Sequence, residues 1–445
     1  SSDLENGKIS SEIAKKLIAK VSESGEDAES IVEREGWTLL SSDEELLPLV
    51  KEVLEEAENK KSVELLRKGD MAPLEYLTGC VMKKSRGRAL AQRVKALIKE
   101  SLKISVVYVF TMGGTITAQK MPDGSVVALK DFEQPPAFIK GMLSEANKAE
   151  PIIITPVRSM LSEETEPADW AELIALVKDR IESGTANGIV ITHGTDTLPY
   201  TSALLFWLFG AAEVPIVLTA SRQLPGTQGQ SADNLNFAIE TAKAKKSGVY
   251  VVYNKTIYSP LNLKFLNTSA QGFANWNMSS PNQKQIFSYE GPLTSTFMSV
   301  TAPESSIMAR LLNEAAEKML VLRLYPSLHC YKLNQLLDNN SGIETLILEL
   351  YANGTGNMRR SDYSLKEILL NSRRHFHKVY CTSQQECSVD FSEYSTSAGL
   401  RREGAVPMGF LTTESAVALY FASYLLADSR EELADLMENF VTCLS

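Results

Sequence analysis

The chain has 445 residues, 44% of them apolar, and a formal net charge of -10. This length exceeds one ordinary hydrophobic core and calls for two or three domains. The acidic balance, with a pI near 5.2, argues against a general polyanion binder, although it leaves room for a local basic surface.

Five cysteines (Cys80, Cys330, Cys381, Cys387 and Cys443) sit at no metal-ligand spacing, and their odd number leaves a disulfide framework incomplete. No metal or organic cofactor is expected. Residues 1–7 lack the basic and apolar regions of a signal peptide, and the richest apolar stretch, 203–212, falls short of the roughly 18 to 20 residues of a membrane span. A reducing cytoplasm is therefore the expected setting, with no membrane association.

From 1 to 103 the pattern is helical. Ile9, Ile13, Ala14, Leu17 and Ile18 recur at helical spacing, and Ser41-Ser42-Asp43-Glu44-Glu45 opens a second helix with a cap and early acids. Leu47, Val50, Val53 and Leu54 form that helix's apolar stripe, and further helices are expected over 62–67, 73–83 and 89–102. The segment reads as a small helical bundle. Its charge changes sign along the chain: acids dominate 23–58, whereas Lys83, Lys84, Arg86, Arg88, Arg93, Lys95, Lys99 and Lys103 face only Glu100. Taken alone, such a run is a solvated face; a phosphate-contacting patch is the competing reading.

Beyond 103 strands alternate with helices. Strands are expected over 104–110, 151–155, 189–192, 214–219 and 249–253, with helices over 170–181, 201–208 and 234–245. A second series of strands follows at 319–324, 345–350 and 378–382, and the Ser/Thr/Pro-rich stretch 292–306 reads as the linker. Repeated βα units predict a doubly wound, mostly parallel sheet. The expected architecture is α/β: a helical domain over 1–103, a catalytic α/β domain over 104–305 and a smaller C-terminal α/β domain over 306–445.

Two apolar runs carry the chemical signal. Val107-Tyr108-Val109-Phe110-Thr111-Met112-Gly113-Gly114-Thr115-Ile116 and Ile189-Val190-Ile191-Thr192-His193-Gly194-Thr195-Asp196-Thr197 each end in glycine followed at once by threonine. Runs of this kind read as strands buried on both faces, and ligands of open α/β sheets lie at the carboxyl ends of such strands. Two hydroxyls and the Asp196 carboxylate can thus converge on one small molecule. A threonine hydroxyl is a weak nucleophile that needs a base or a charged neighbour. Asp196, and Lys264 if it lies beside Asp196, would supply one. Each residue also has a plainer reading: a helix cap for Thr115, a cap or turn for Asp196, a surface lysine for Lys264. For His193 the structural reading is preferred.

Resemblance over many positions shifts that balance. Thr111-Met112-Gly113-Gly114-Thr115-Ile116, His193-Gly194-Thr195-Asp196-Thr197 with Tyr200-Thr201-Ser202-Ala203 behind it, and Lys264 together resemble the bacterial-type L-asparaginases, over roughly 104–443. Leu324-Tyr325-Pro326, Gly354-Thr355-Gly356-Asn357 and Thr412-Thr413-Glu414-Ser415-Ala416 support the match, the last being similar to the type I branch.

The resemblance implies an amidohydrolase acting on the side-chain amide of L-asparagine or L-glutamine, with Thr115 as nucleophile and Thr195, Asp196 and Lys264 as the second catalytic set. It also implies that Gly114, Ser162, Glu163 and Gly194 bind substrate, that Ser162 holds its α-carboxylate and Asp196 its α-ammonium, and that a homodimer or homotetramer forms. Backbone N–H groups near the glycines would stabilise the oxyanion. No tyrosine lies between Thr115 and Leu129, where the family places one.

Gly7-Lys8-Ile9-Ser10, Trp37, Ser41-Ser42-Asp43-Glu44 and Leu77-Thr78-Gly79-Cys80-Val81-Met82-Lys83-Lys84-Ser85-Arg86-Gly87-Arg88-Ala89 resemble the tail domain of the B-type component of the tRNA-dependent amidotransferases. Ser162-Glu163 and Gly124-Ser125-Val126 are similar to the asparaginase-like, D-type component of those enzymes. This second resemblance implies tRNA contact through Lys83, Lys84, Arg86 and Arg88. It also implies an alternative role, as an ammonia source for an amidotransferase partner or a catalytically silent tRNA-binding homologue.

Overall fold

The computed structural model describes residues 17, 20–21, 31, 40, 42–67, 69–104, 106–129, 134–149, 151–226, 228–266, 272–277, 297–298, 304–338, 342–375 and 378–444, without the side chains of 134, 371–375 and 440–444. Most of the expected first helix, the Gly7–Ser10 and Trp37 matches and two thirds of the 292–306 linker lie outside these residues. The chain divides into two compact units, one of residues 1–107, 148–153 and 179–187, the other of 108–147, 154–178 and 188–445.

In the first unit, helices α1 (Asp43–Glu55), α2 (Lys60–Arg67), α3 (Ala72–Lys84) and α4 (Ala91–Leu102) follow one another. Ser42 and Glu45 form the capping box that starts α1. This reciprocal arrangement satisfies two otherwise orphaned backbone donors. Val50, Val53, Leu77, Val81, Leu97 and Ile98 are among the side chains that close the bundle core.

The second unit holds most of a six-stranded sheet in the order β4-β1-β5-β6-β7-β8. Its strands are β1 (Val107–Thr111), β4 (Ile152–Pro156), β5 (Gly188–His193), β6 (Ile216–Ala220), β7 (Val249–Tyr253) and β8 (Thr256–Tyr258). β5, β6 and β7 are parallel, with Ile189 opposite Ile216 and Ile216 opposite Val249, and β8 turns back antiparallel. Every residue of β1, β5 and β6 is buried, as their uninterrupted apolar runs require in a sheet covered on both faces.

Two small antiparallel pairs accompany this sheet: β2 (Ala118–Lys120) with β3 (Val126–Ala128), and β9 (Leu263–Phe265) with β10 (Phe273–Asn275). Helices α5 (Pro167–Glu182), α6 (Leu198–Phe209) and α7 (Gln230–Ala244) connect the main strands. A second sheet, β11 (Met319–Arg323), β12 (Thr345–Leu350), β13 (Lys378–Ser383) and β14 (Val406–Pro407), is parallel throughout. Helix α8 (Thr413–Leu426) follows it; its Ser415 carbonyl accepts from the Trp207 indole N–H of α6 at 3.2 Å. No described helix is long and apolar enough to cross a membrane.

Candidate active site

The two Gly-Thr motifs meet because β1 and β5 are neighbours that stop level with each other. The Met112 N–H donates to the Thr192 carbonyl at 2.9 Å, just before both chains leave the sheet. Gly114 then adopts φ 75° and ψ 175°, and its N–H donates to the Met160 carbonyl at 2.8 Å. A Cβ placed on Gly114 would lie 2.5 Å from the Gly194 nitrogen and 2.6 Å from its Cα. The two glycines are therefore in backbone contact, as close approach without side chains permits. A Cβ on Gly194 would in turn strike the Ser162 side chain. Segments from the ends of β1, β4 and β5 thus touch at Gly114, Ser162 and Gly194, and Thr115 and Thr195 each follow a glycine of this contact.

Ser162 is buried, and its carbonyl accepts from the hydroxyls of Thr165 at 2.7 Å and Thr197 at 2.8 Å, tying the loop after β4 to the turn after β5. Thr115 and Thr195 are half-buried, whereas Asp196 and Glu163 are exposed. The Thr195 hydroxyl donates to Asp196 at a long 3.5 Å. Since the Gly114 N–H is committed to Met160, an oxyanion would have to draw on other donors at this turn.

Lys264 lies in β9. Its Nζ donates to Glu414 at 2.7 Å and stands 4.9 Å from the centre of the Trp276 ring. The carboxylate paired with Lys264 is that of Glu414, in the first turn of α8, rather than Asp196. Glu414 lay in plain view within Thr412-Thr413-Glu414-Ser415-Ala416, but nothing local in that sequence ties it to a lysine 150 positions earlier.

His193 is fully buried, and burial pushes its imidazole down to about 4, so it is neutral near pH 7. Nδ1 lies 2.9 Å from the Gly194 carbonyl, which can only accept, so Nδ1 carries the hydrogen and Nε2 accepts from the Thr201 hydroxyl at 3.0 Å. Thr201 accepts in turn from the Trp170 indole N–H at 3.0 Å. This chain of bonds holds the Gly194 peptide in place and gives His193 a structural role. A histidine with a depressed folded-state value stabilises fully above its unfolded value near 6.5 and loses that contribution as pH falls from there towards about 4. Denaturant titrations should accordingly show about 2 kcal/mol less stability from this residue at pH 5 than at pH 7.5, a dependence that His193→Gln should lack.

The body of the chain matches known proteins at these motifs. Residues 106–290 match the family model described as asparaginase, N-terminal. Over this segment the chain is similar to the asparaginases. Residues 2–102 match the GatB domain model, so an asparaginase-type body follows a GatB-type helical domain in one chain.

Among curated relatives, the D-type component of the glutamyl-tRNA(Gln) amidotransferase of Methanococcus maripaludis is 26% identical over 363 residues, covering 76% of this chain and 80% of that protein. Its counterpart from Haloquadratum walsbyi is 34% identical over 152 residues, and the match spans a third (33%) of each protein. Among solved structures, the thermostable L-asparaginase from Thermococcus kodakarensis superposes with a TM-score of 0.58 at 21% identity, over 75% of this chain and 97% of that one. L-asparaginase I from Vibrio cholerae gives 0.57 at 20%, with the same coverage. At these identities the superpositions establish the shared fold.

In the GatB-type domain, much of the basic run is spent internally. Lys84 bridges Glu52 at 2.6 Å and Glu56 at 2.9 Å, which raises its affinity for its proton. Arg93 pairs with Asp43, and Lys95 with Glu75 at 2.5 Å. Lys99 is buried, and that burial pushes it down to about 8. Lys83 and Arg86 are exposed, and Arg88 is half-buried with partners of its own. The acids of 23–58 that sequence patterning separates from the basic run are, in part, its counter-charges.

Among the described residues no group of three or more His, Cys, Asp or Glu side chains is arranged to hold a metal ion. Cys80, Cys330, Cys381 and Cys387 are free thiols.

Proposed function

We propose that the protein is an amidohydrolase that converts the side-chain amide of L-asparagine or L-glutamine to the acid and ammonia through a threonine nucleophile. The observation that supports this reading is the backbone contact of Gly114 with Gly194 beside Ser162, with Thr115 and Thr195 each following a glycine of that contact. In this scheme the Thr115 hydroxyl attacks the carboxamide carbon and its proton passes to the departing ammonia. Water then cleaves the resulting acyl-threonine ester, and the proton it gives up restores the Thr115 hydroxyl. Thr195, Asp196 and Lys264 assist the proton transfers. Ser162 and Glu163, with Gly114 and Gly194, bind the amino-acid end of the substrate, and Asp196 takes its α-ammonium. One methylene separates the two substrates, worth about 1 to 3 kcal/mol of discrimination.

Ammonia release from both amino acids by the purified full chain, with and without tRNA, tests the reading. Release from neither, under either condition, would overturn it.

A second reading follows from the GatB domain match at 2–102: the helical domain engages tRNA and the body supplies ammonia to an amidotransferase partner. The relatives named as amidotransferase components support this context. Cytoplasmic residence and a homodimer or homotetramer complete the proposal. Binding of tRNA should then weaken with rising salt, and replacing both Lys83 and Arg86 by alanine should reduce the slope of log K against log salt by about 0.7 to 0.9 for each phosphate no longer neutralised. Lys84→Ala should change that slope less, because Glu52 and Glu56 already neutralise the lysine. Identical slopes for wild type and the double variant would exclude this patch.

A further inference from the structure

We propose that Glu414 is the positioning residue of Lys264, so that sequence following the second sheet completes the catalytic set built on the first; this rests on the hydrolase reading above. Both side chains of the pair are largely withdrawn from water, at 14% exposure for Lys264 and 15% for Glu414. In such a setting a charge deprived of its partner is costly, so each group fixes the other.

The pair is rigidly mounted. Asn262, two residues before Lys264, has φ 55° and is locked to the start of α8 in both directions. Its N–H donates to the Ser415 hydroxyl at 2.8 Å, and its side-chain oxygen accepts from the Thr412 N–H at 3.0 Å. Thr412 caps α8, and Glu414 occupies the first turn, where the helix end favours a negative charge. The Trp276 ring also lies against the ammonium.

A further observation ties Glu414 to the Thr195-Asp196 segment. Tyr200 stands in the first turn of α6, just after Asp196. Burial, with the neighbouring charges of Glu414 and then Glu349, pushes its phenol up to about 12. Glu414 is thus an electrostatic neighbour both of the lysine and of the helix that starts behind Asp196. The second oxygen of Glu414 is buried without a described hydrogen-bond partner, so the carboxylate spends its described bonding on Lys264 alone. This arrangement leaves Asp196, exposed and loosely held by Thr195, available to the substrate's ammonium.

The test uses the full chain and two readouts: the rate at which acetic anhydride acylates Lys264 at pH 8, followed by peptide mass spectrometry, and kcat and KM for ammonia release from L-asparagine. In Glu414→Gln, Lys264 loses the carboxylate that holds it, and its labelling should rise about tenfold relative to exposed lysines. The same variant should lose about 100-fold in kcat with KM nearly unchanged. Glu414→Asp, which keeps the charge, should recover part of both and serves if the glutamine variant is poorly folded.

Unchanged Lys264 labelling in Glu414→Gln, or raised labelling with kcat within about twofold of wild type, would overturn the inference while leaving the hydrolase reading intact. A wild-type chain that releases no ammonia overturns the hydrolase reading and the catalytic role of Glu414 with it.

Discussion

Thr115→Ala is expected to reduce ammonia release from L-asparagine by at least about a thousand-fold in kcat, because deleting the proposed nucleophile removes the covalent path altogether. The fold should survive. Thr115 is half-buried at the start of a short turn, Thr115–Thr117, and its hydroxyl makes no described hydrogen bond that the turn depends on. Equal denaturation midpoints for variant and wild type, together with lost turnover, would separate chemistry from structure. Thr115→Ser should retain measurable activity, since it keeps a hydroxyl at the same atom. Turnover in Thr115→Ala close to wild type would move the nucleophile elsewhere, with Thr195 the next candidate.

Gly114→Ala is expected to damage both stability and activity. The backbone conformation at this glycine is one that other residues rarely adopt, a strain of about 1 to 3 kcal/mol by itself. The added methyl would also lie 2.5 Å from the Gly194 nitrogen, an atom that cannot swing aside as a side-chain tip would. Gly124 provides an internal control: its φ of 91° also disfavours alanine, yet a Cβ there meets nothing within 4 Å. Thermal and denaturant unfolding of both variants should show Gly114→Ala as clearly the more destabilised, and it alone should lose ammonia release. Equal losses at the two positions would mean that backbone strain, not the contact between glycines, governs the site.

Much of the architecture was legible before the structure. The runs at β1, β5 and β6 announce buried parallel strands because both faces of each strand need apolar side chains. The Ser42-to-Glu45 cap marks the start of α1 through chemistry contained within a single turn of chain. The bundle helices and the second sheet follow from equally local patterns. For the Gly-Thr motifs, sequence supplied the residues and their place at strand ends, and resemblance to a family supplied their order of importance.

Other features depended on contacts between distant positions. The charge run at 83–103 reads as a basic face, yet Lys84 is neutralised by Glu52 and Glu56, and Arg93 by Asp43 and Glu100. An ion pair needs opposite charges within a few ångströms, and helix packing, not spacing along the chain, decides which ones meet. The His193 network likewise joins α5, β5 and α6 through Trp170, His193 and Thr201, side chains whose sequence neighbourhoods are unrelated.

By itself, the sequence determined the described bundle helices and most strands of the two main sheets, and that two glycine-threonine tips lie at the ends of buried strands, because side-chain periodicity and backbone freedom are local properties. Only the tertiary structure decided that β1 and β5 run side by side so that Gly114 touches Gly194, and that Lys264 is held by Glu414 and not by Asp196. Strand order and long-range charge pairing are settled by how whole elements pack, and no short stretch of residues encodes that geometry.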